Sequence, residues 1–131
     1  MRDALATLGL VPEPAMSVRA EYRRAHDGDS YSLLIDTSGD PTPSFDEGAE
    51  TRWVRLRDYS AIELGKPADA ERCSGDEARL IAINVLSAAD EILVELKGSY
   101  SFHRHVAWVW IDGRSLGEVL LEQRAVRPGR R

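Results

Sequence analysis

The sequence predicts a mainly β fold with α-helices: a five-stranded barrel, one helix between the third and fourth strands, and a second helix near the C-terminus. Two observations carry this prediction. Five short segments alternate apolar and polar residues at period two, the pattern of strands with one buried face. Only two later stretches carry apolar residues at helical spacing, too few to cover an open sheet, and closure of the sheet into a barrel would explain the apolar strand faces.

The chain of 131 residues, 43% hydrophobic and 30% charged, is long enough for one domain with a real core and too short for two comfortable ones. The expected division is an N-terminal helix and linker over 1–16, a barrel domain over 17–127, and a basic tail over 128–131.

Residues 2–10 predict a short helix, followed by the extended linker VPEPA. Residues 17–25 alternate as the first strand, with Val18, Ala20 and Tyr22 on one side. The turn HDGD follows, its Asp-Gly pair a strong hairpin signal because glycine accepts positive φ, and Tyr31 to Ile35 form the return strand. Residues 37–50 read as a loop, dense in Gly, Pro, Ser and Asp, leading to a third strand over Arg52–Leu56.

Residues 65–73 are irregular. Ser74 followed by Glu77 forms a capping-box signature, and Ala78, Ile81, Ala82, Val85 and Leu86 make the buried stripe of a helix ending near Ser87 or Ala88. Glu91 to Leu96 is the fourth strand, turned by Lys97-Gly98-Ser99, and Val106 to Ile111 is the fifth, closed by Asp112-Gly113. A last helix runs from Leu116 to about Arg124, burying Leu116, Val119 and Leu120. Five strands with a helix between the third and fourth is the arrangement of the OB barrel.

Composition narrows the function. A net charge of −5 argues against generic charge-driven binding of nucleic acid, which normally shows as a basic domain. The charge is uneven, however: Arg19, Arg23, Arg24, Arg52, Arg55 and Arg57 fall in or beside expected strands, while acids gather around 36–50 and from Asp69 to Asp76. The single cysteine, Cys73, cannot form an intramolecular disulfide. With no secretory signal pattern at the N-terminus and no apolar run near the ~20 residues that span a bilayer, the expectation is a cytoplasmic protein without a membrane partner.

Three segments could carry chemistry together: Asp27-Gly28-Asp29-Ser30, then Val54-Arg55-Leu56 with Glu63 beyond, then Phe102-His103-Arg104-His105 leading into the fifth strand. In chain order they supply a carboxylate, an arginine, a second carboxylate and a second arginine. Phosphodiester hydrolysis needs such a set: an acid to hold a metal, a base for water, and cationic forks for the charge that develops on phosphorus.

With these segments in order, the chain resembles the staphylococcal-nuclease-like (thermonuclease) family, whose domain is an OB barrel. The family's DGDT appears as DGDS, its VRLxGIDAPE as VRLRDYSAIE, and its YGRxLAxVxVDG with a following amphipathic helix as FHRHVAWVWIDGRSLGEVLLEQRAV, so the likeness spans roughly residues 17–127. The resemblance implies a calcium-dependent hydrolase acting on DNA or RNA. In it Asp29 is a metal ligand, Arg55 and Arg104 grip phosphate and serve catalysis, and Glu63 is the general base.

Departures from the motif bear on activity. Ser60 stands where the family has its second calcium-binding aspartate, Ala61 where a backbone carbonyl reaches the metal, Ile62 where a proline precedes the glutamate, and Phe102 where a tyrosine hydroxyl lies near phosphate. Calcium prefers carboxylate oxygen, so Ser60 removes a charged ligand and weak or absent metal binding is expected. Asp58 would share a face with Ser60 in a regular strand, but one residue pair away, so it replaces the missing ligand only through a bulge.

Other residues read less specifically. His103 and His105 flank Arg104, but with His26 and Cys73 alone to join them a zinc set does not assemble. Trp53, Trp108 and Trp110 fit either base stacking or core packing. The expectation is thus a nuclease-like domain with reduced or absent activity. The alternative is a non-catalytic OB module binding nucleic acid or a protein partner, within a larger assembly such as a virion.

Overall fold

The first hairpin joins β1 (Val18–Ala25) to β2 (Ser30–Asp36), and β3 (Ala49–Leu56) adds to β2 antiparallel, with Tyr31 opposite Val54 and Ile35 opposite Glu50. The computed structural model describes residues 17–36, 49–95, 100–101 and 104–129. The helix expected over 2–10, most of the loop from 37, and the turn at Lys97-Gly98-Ser99 lie outside these residues.

β3 is followed by the two-residue β4 (Tyr59–Ser60), helix α1 (Gly75–Ala88), β5 (Ile92–Glu95), β6 (Tyr100–Ser101), β7 (Arg104–Ile111), β8 (Arg114–Ser115), helix α2 (Leu116–Glu122) and β9 (Arg127–Pro128). The main sheet runs β3-β2-β1-β5-β7, and parallel pairing of β7 with β3 closes it into a five-stranded barrel of OB type. The sequence expectation of a mainly β barrel with a helix after the third long strand is met.

The alternation in the long strands fixes the register. Tyr31, Leu33, Ile35, Val54, Val94, Ala107 and Val109 are buried at alternate positions, because an odd-residue slip would turn each of them to solvent. Leu116 and Leu120 of α2 are fully buried in the same core, as are Ala78 and Ala82 of α1, while Leu86 is nearly so. Each large apolar side chain so buried contributes on the order of 1.5–3 kcal/mol.

Helix α1 starts where its cap predicts. The Ser74 hydroxyl accepts from the Glu77 N–H at 3.2 Å and lies 3.5 Å from the Glu77 carboxylate, which satisfies one of the first-turn donors. At the other end of the barrel, Asp112 and Gly113 both adopt positive φ, 49° and 83°, as a tight hairpin turn requires. The Asp112 carboxylate accepts from the N–H groups of Asp90 and Glu91, at 3.0 and 2.9 Å, and so fixes the entry to β5.

Several features differ from the sequence reading, among them the start of the last long strand, at Arg104 and not Val106. β3 begins at Ala49, inside the expected loop, because Ala49 and Glu50 pair with Asp36 and Ile35. Gly28 does not take positive φ. A Cβ there would lie 2.7 Å from Ala61 Cβ and 2.8 Å from Ala78 Cβ, so that glycine serves close packing under α1. The segment after Leu56 also turns sharply. Asp58 adopts φ 65°, Tyr59 and Ser60 start a new strand paired with Pro128 and Arg127, and the Gly129 N–H donates to the Asp58 carbonyl at 2.7 Å. Aspartate tolerates this left-handed conformation in turns.

Candidate nucleic-acid interface

The DGDS tip is folded inward. Asp29 is fully buried: its carboxylate accepts from the Ala61 N–H at 2.9 Å and lies 3.4 Å from the Ser30 hydroxyl, and its carbonyl accepts from the Leu56 N–H at 2.8 Å. The Asp27 carboxylate accepts from the Asp29 N–H at 3.0 Å, which shapes the tip as an Asx turn. Tyr31 donates from its hydroxyl to the Gly28 carbonyl at 2.6 Å. Burial, then the carboxylates of Asp29 and Asp27, push the Tyr31 phenol well above its ordinary range.

Arg55 sits opposite Ser30 on β3, with its guanidinium 3.7 Å from Asp29 Oδ2 and 17% of its side chain accessible. Its Nε is buried without a hydrogen-bond partner among the described residues, and so is the Ser60 hydroxyl. Arg104 enters through the parallel pairing of β3 and β7, which sets it opposite Trp53 and sets Val106 opposite Arg55. Its backbone therefore stands one residue pair, ~7 Å, from the partner position of Arg55 on the same side of the pleat.

Glu63 lies on the exposed segment leaving β4, two residues beyond Ala61. Its carbonyl accepts from the Lys66 N–H at 3.1 Å and abuts Gly75, where any Cβ would overlap it. Asp58 stands in a turn and not in a regular strand: its backbone takes φ 65°, its side chain is exposed and Ser60 is fully buried, so the face that 58 and 60 would share in a regular strand does not form.

The donor set does not suit calcium. Such a site takes six to eight oxygens, usually with several carboxylates. Asp29 is here engaged by a backbone N–H and an arginine, and the place of a second acid holds a neutral hydroxyl. Among the described residues no group of three or more His, Cys, Asp or Glu side chains could hold a metal ion. His103 is outside the described residues.

Two contacts had no clear signal in the sequence. Arg72 donates to the Ser60 carbonyl at 3.4 Å while its Nη2 and Nε hold Asp69 Oδ2 at 2.6 and 3.1 Å. The hydrogen bond from Arg72, then that from the Glu71 N–H, hold the Asp69 carboxyl down at about 2, from an ordinary 3.8. A depressed carboxyl stabilises the fold above its unfolded value, and that stability is lost as pH falls through the folded value. The clip is thus expected to be complete above about pH 4 and to open towards about pH 2. An NMR titration of the Asp69 carboxyl should show it, and a midpoint near 3.8 would rule the clip out.

The second contact is the stacking of His26 against Trp53, with ring centroids 4.3 Å apart and planes tilted by 31°. His26 Nε2 also lies 2.7 Å from the Ser32 hydroxyl, and burial, then the charge of Arg24, push its imidazole below the ordinary value. Trp110 is nearly buried and Trp108 packs against the core, so of the three tryptophans Trp53 is the one that stands exposed.

Among the described residues no helix is long and apolar enough to cross a membrane. No protein-family model matches the chain and no curated protein matches it.

Proposed function

We propose that this domain is a nuclease-like barrel that binds nucleic acid through its phosphates and has lost efficient hydrolysis. The observation that carries the reading is the state of Asp29. Its carboxylate is fully buried, bonded to the Ala61 N–H and 3.7 Å from Arg55, while the neighbouring position that would complete a calcium site is Ser60. An acid spent on holding the fold is poorly placed to recruit a metal.

The arginines retain a use without a metal. A guanidinium binds phosphate through charge-assisted, often bidentate hydrogen bonds, and the Arg55 side chain is 17% accessible, its buried Nε–H without a hydrogen-bond partner among the described residues. Arg24 of β1 and Arg55 of β3 stand on the same side of the strands that flank β2 and would give an acidic chain a local cationic patch, which favours binding at low salt and its loss at moderate salt.

Labelled single-stranded DNA and RNA, incubated with calcium, magnesium or manganese, are expected to stay intact, yet to be retained by the protein at low salt. Arg104→Ala should reduce the slope of log affinity against log salt by about 0.7, the value for one single-strand phosphate contact. Cleavage by the wild-type protein that disappears in Glu63→Ala and Arg104→Ala would overturn the loss of catalysis. Failure to retain either nucleic acid at low salt would overturn binding.

A further inference from the structure

Cross-strand pairing lines up one row of residues that lies on the outer side of β1, β2 and β3 and continues in backbone register onto β7. Arg24 of β1 pairs with Ser32 of β2, Ser32 with Trp53 of β3, and Trp53 with Arg104 of β7. The next row along holds Ser30, Arg55 and Val106. Rows are ~7 Å apart along a strand and neighbouring strands ~4.8 Å apart across the sheet.

Trp53 is the aromatic member of this face, and 43% of it is accessible. It stands on a strand paired on both sides, by β2 and β7, and its ring is propped by His26, itself held to Ser32. A large indole held open to solvent on a rigid strand loses apolar burial that the core would have given it. The β-bulge between Tyr22 and Arg24 adds to the same side, since it leaves both Arg23 and Arg24 exposed where strict alternation would bury one of them. Arg23 is engaged by Glu21, at 3.1 Å, and Arg24 remains beside the His26 ring as a cation.

We propose that Trp53, braced by His26, is a base-stacking ledge for single-stranded nucleic acid, with Arg24 and Arg55 placed to take the flanking phosphates. The proposal rests on the phosphate-binding reading above and extends it by naming the ligand: a strand whose bases are unpaired. A flat π-face accepts any base, so the ledge selects for single-strandedness and not for sequence. Duplex bases are stacked on one another and cannot present a face to Trp53.

Three labelled probes of equal length test this: oligo-dT, an abasic strand with the same phosphates, and a duplex, each titrated by fluorescence anisotropy at low salt. Wild-type protein should bind oligo-dT about 5- to 150-fold more tightly than the abasic strand, the range expected for one stacked base. Trp53→Ala should erase that difference, while Trp53→Phe keeps most of it. Oligo-dT should also quench the tryptophan emission of the wild-type protein, a readout that needs no variant to fold.

Equal wild-type affinity for oligo-dT and the abasic strand would overturn the ledge and leave phosphate binding standing. Tighter binding to the duplex, or a preference for oligo-dT that survives Trp53→Ala, would also overturn it. No binding of any probe would overturn both the ledge and the reading beneath it.

Discussion

Replacing Asp29 with alanine is expected to destabilise the domain by on the order of 3 kcal/mol, since removing one partner leaves buried groups unsatisfied. The loss has three parts: the Ala61 N–H loses its acceptor, Ser30 loses its neighbour, and the mostly buried Arg55 loses its counter-charge. A domain of this size has a total stability of about 5–15 kcal/mol, so the variant should melt many degrees lower. Asp29→Asn should lose less, because an amide oxygen can still accept from Ala61 while the charge is gone. Urea denaturation of both variants measures the effect. A change under about 1 kcal/mol for Asp29→Ala would mean that this carboxylate does not hold the fold and remains available to a metal.

Gly28→Ala should cost about 1–3 kcal/mol, although glycine-to-alanine changes often stabilise. Because Gly28 does not have positive φ, alanine is allowed by the backbone and would gain about 0.4–1 kcal/mol from a less disordered unfolded chain. Space decides against it. The new methyl would meet Ala61 Cβ at 2.7 Å and Ala78 Cβ at 2.8 Å, and neither atom can retract by changing rotamer. Helix α1 or the Ala61 segment would have to move, and the second of these carries the N–H that Asp29 holds. Thermal melting is the measurement, and a variant as stable as wild type would show that the tip has slack.

The barrel was legible in the sequence where one physical rule dominates. Tyr31, Leu33 and Ile35, or Val54 and Leu56, alternate because one face is core, and Ser74 with Glu77 announces a helix start because first-turn N–H groups need acceptors. The turn at Arg57-Asp58 was not legible, since it contains neither glycine nor proline and its conformation is secured by a carbonyl contact to Gly129. The start of β3 was hidden for the opposite reason: Ala49 and Glu50 belong to loop-like composition and are ordered by the strand they pair with.

The same division holds at the site. The family resemblance alone grouped Asp29, Arg55 and Ser60 in one site; in the structure Asp29 lies beside Arg55 and accepts from the N–H of Ala61, the residue after Ser60. The resemblance could not reveal that a backbone N–H would occupy Asp29, because such donors belong to every residue and leave no signature. His26 and Trp53 lie far apart in sequence, and their stacking depends on how the Asp29 turn folds back beside β3.

The parallel seam between β3 and β7 has a consequence for how this surface comes into being. Its partners, Trp53 with Arg104 and Arg55 with Val106, are separated by more than a third of the chain, which contains a helix and three other strands. Contacts of such long range form late in folding, because the entropy of closing the intervening loop is spent before they give anything back. The local β1–β2–β3 meander can place Arg24, Ser32 and Trp53 together early. β7 joins them only once the last staves of the barrel close, so a partly opened barrel would keep Trp53 with Arg24 and Arg55 and lose only the backbone that pairs with β3 on its other side.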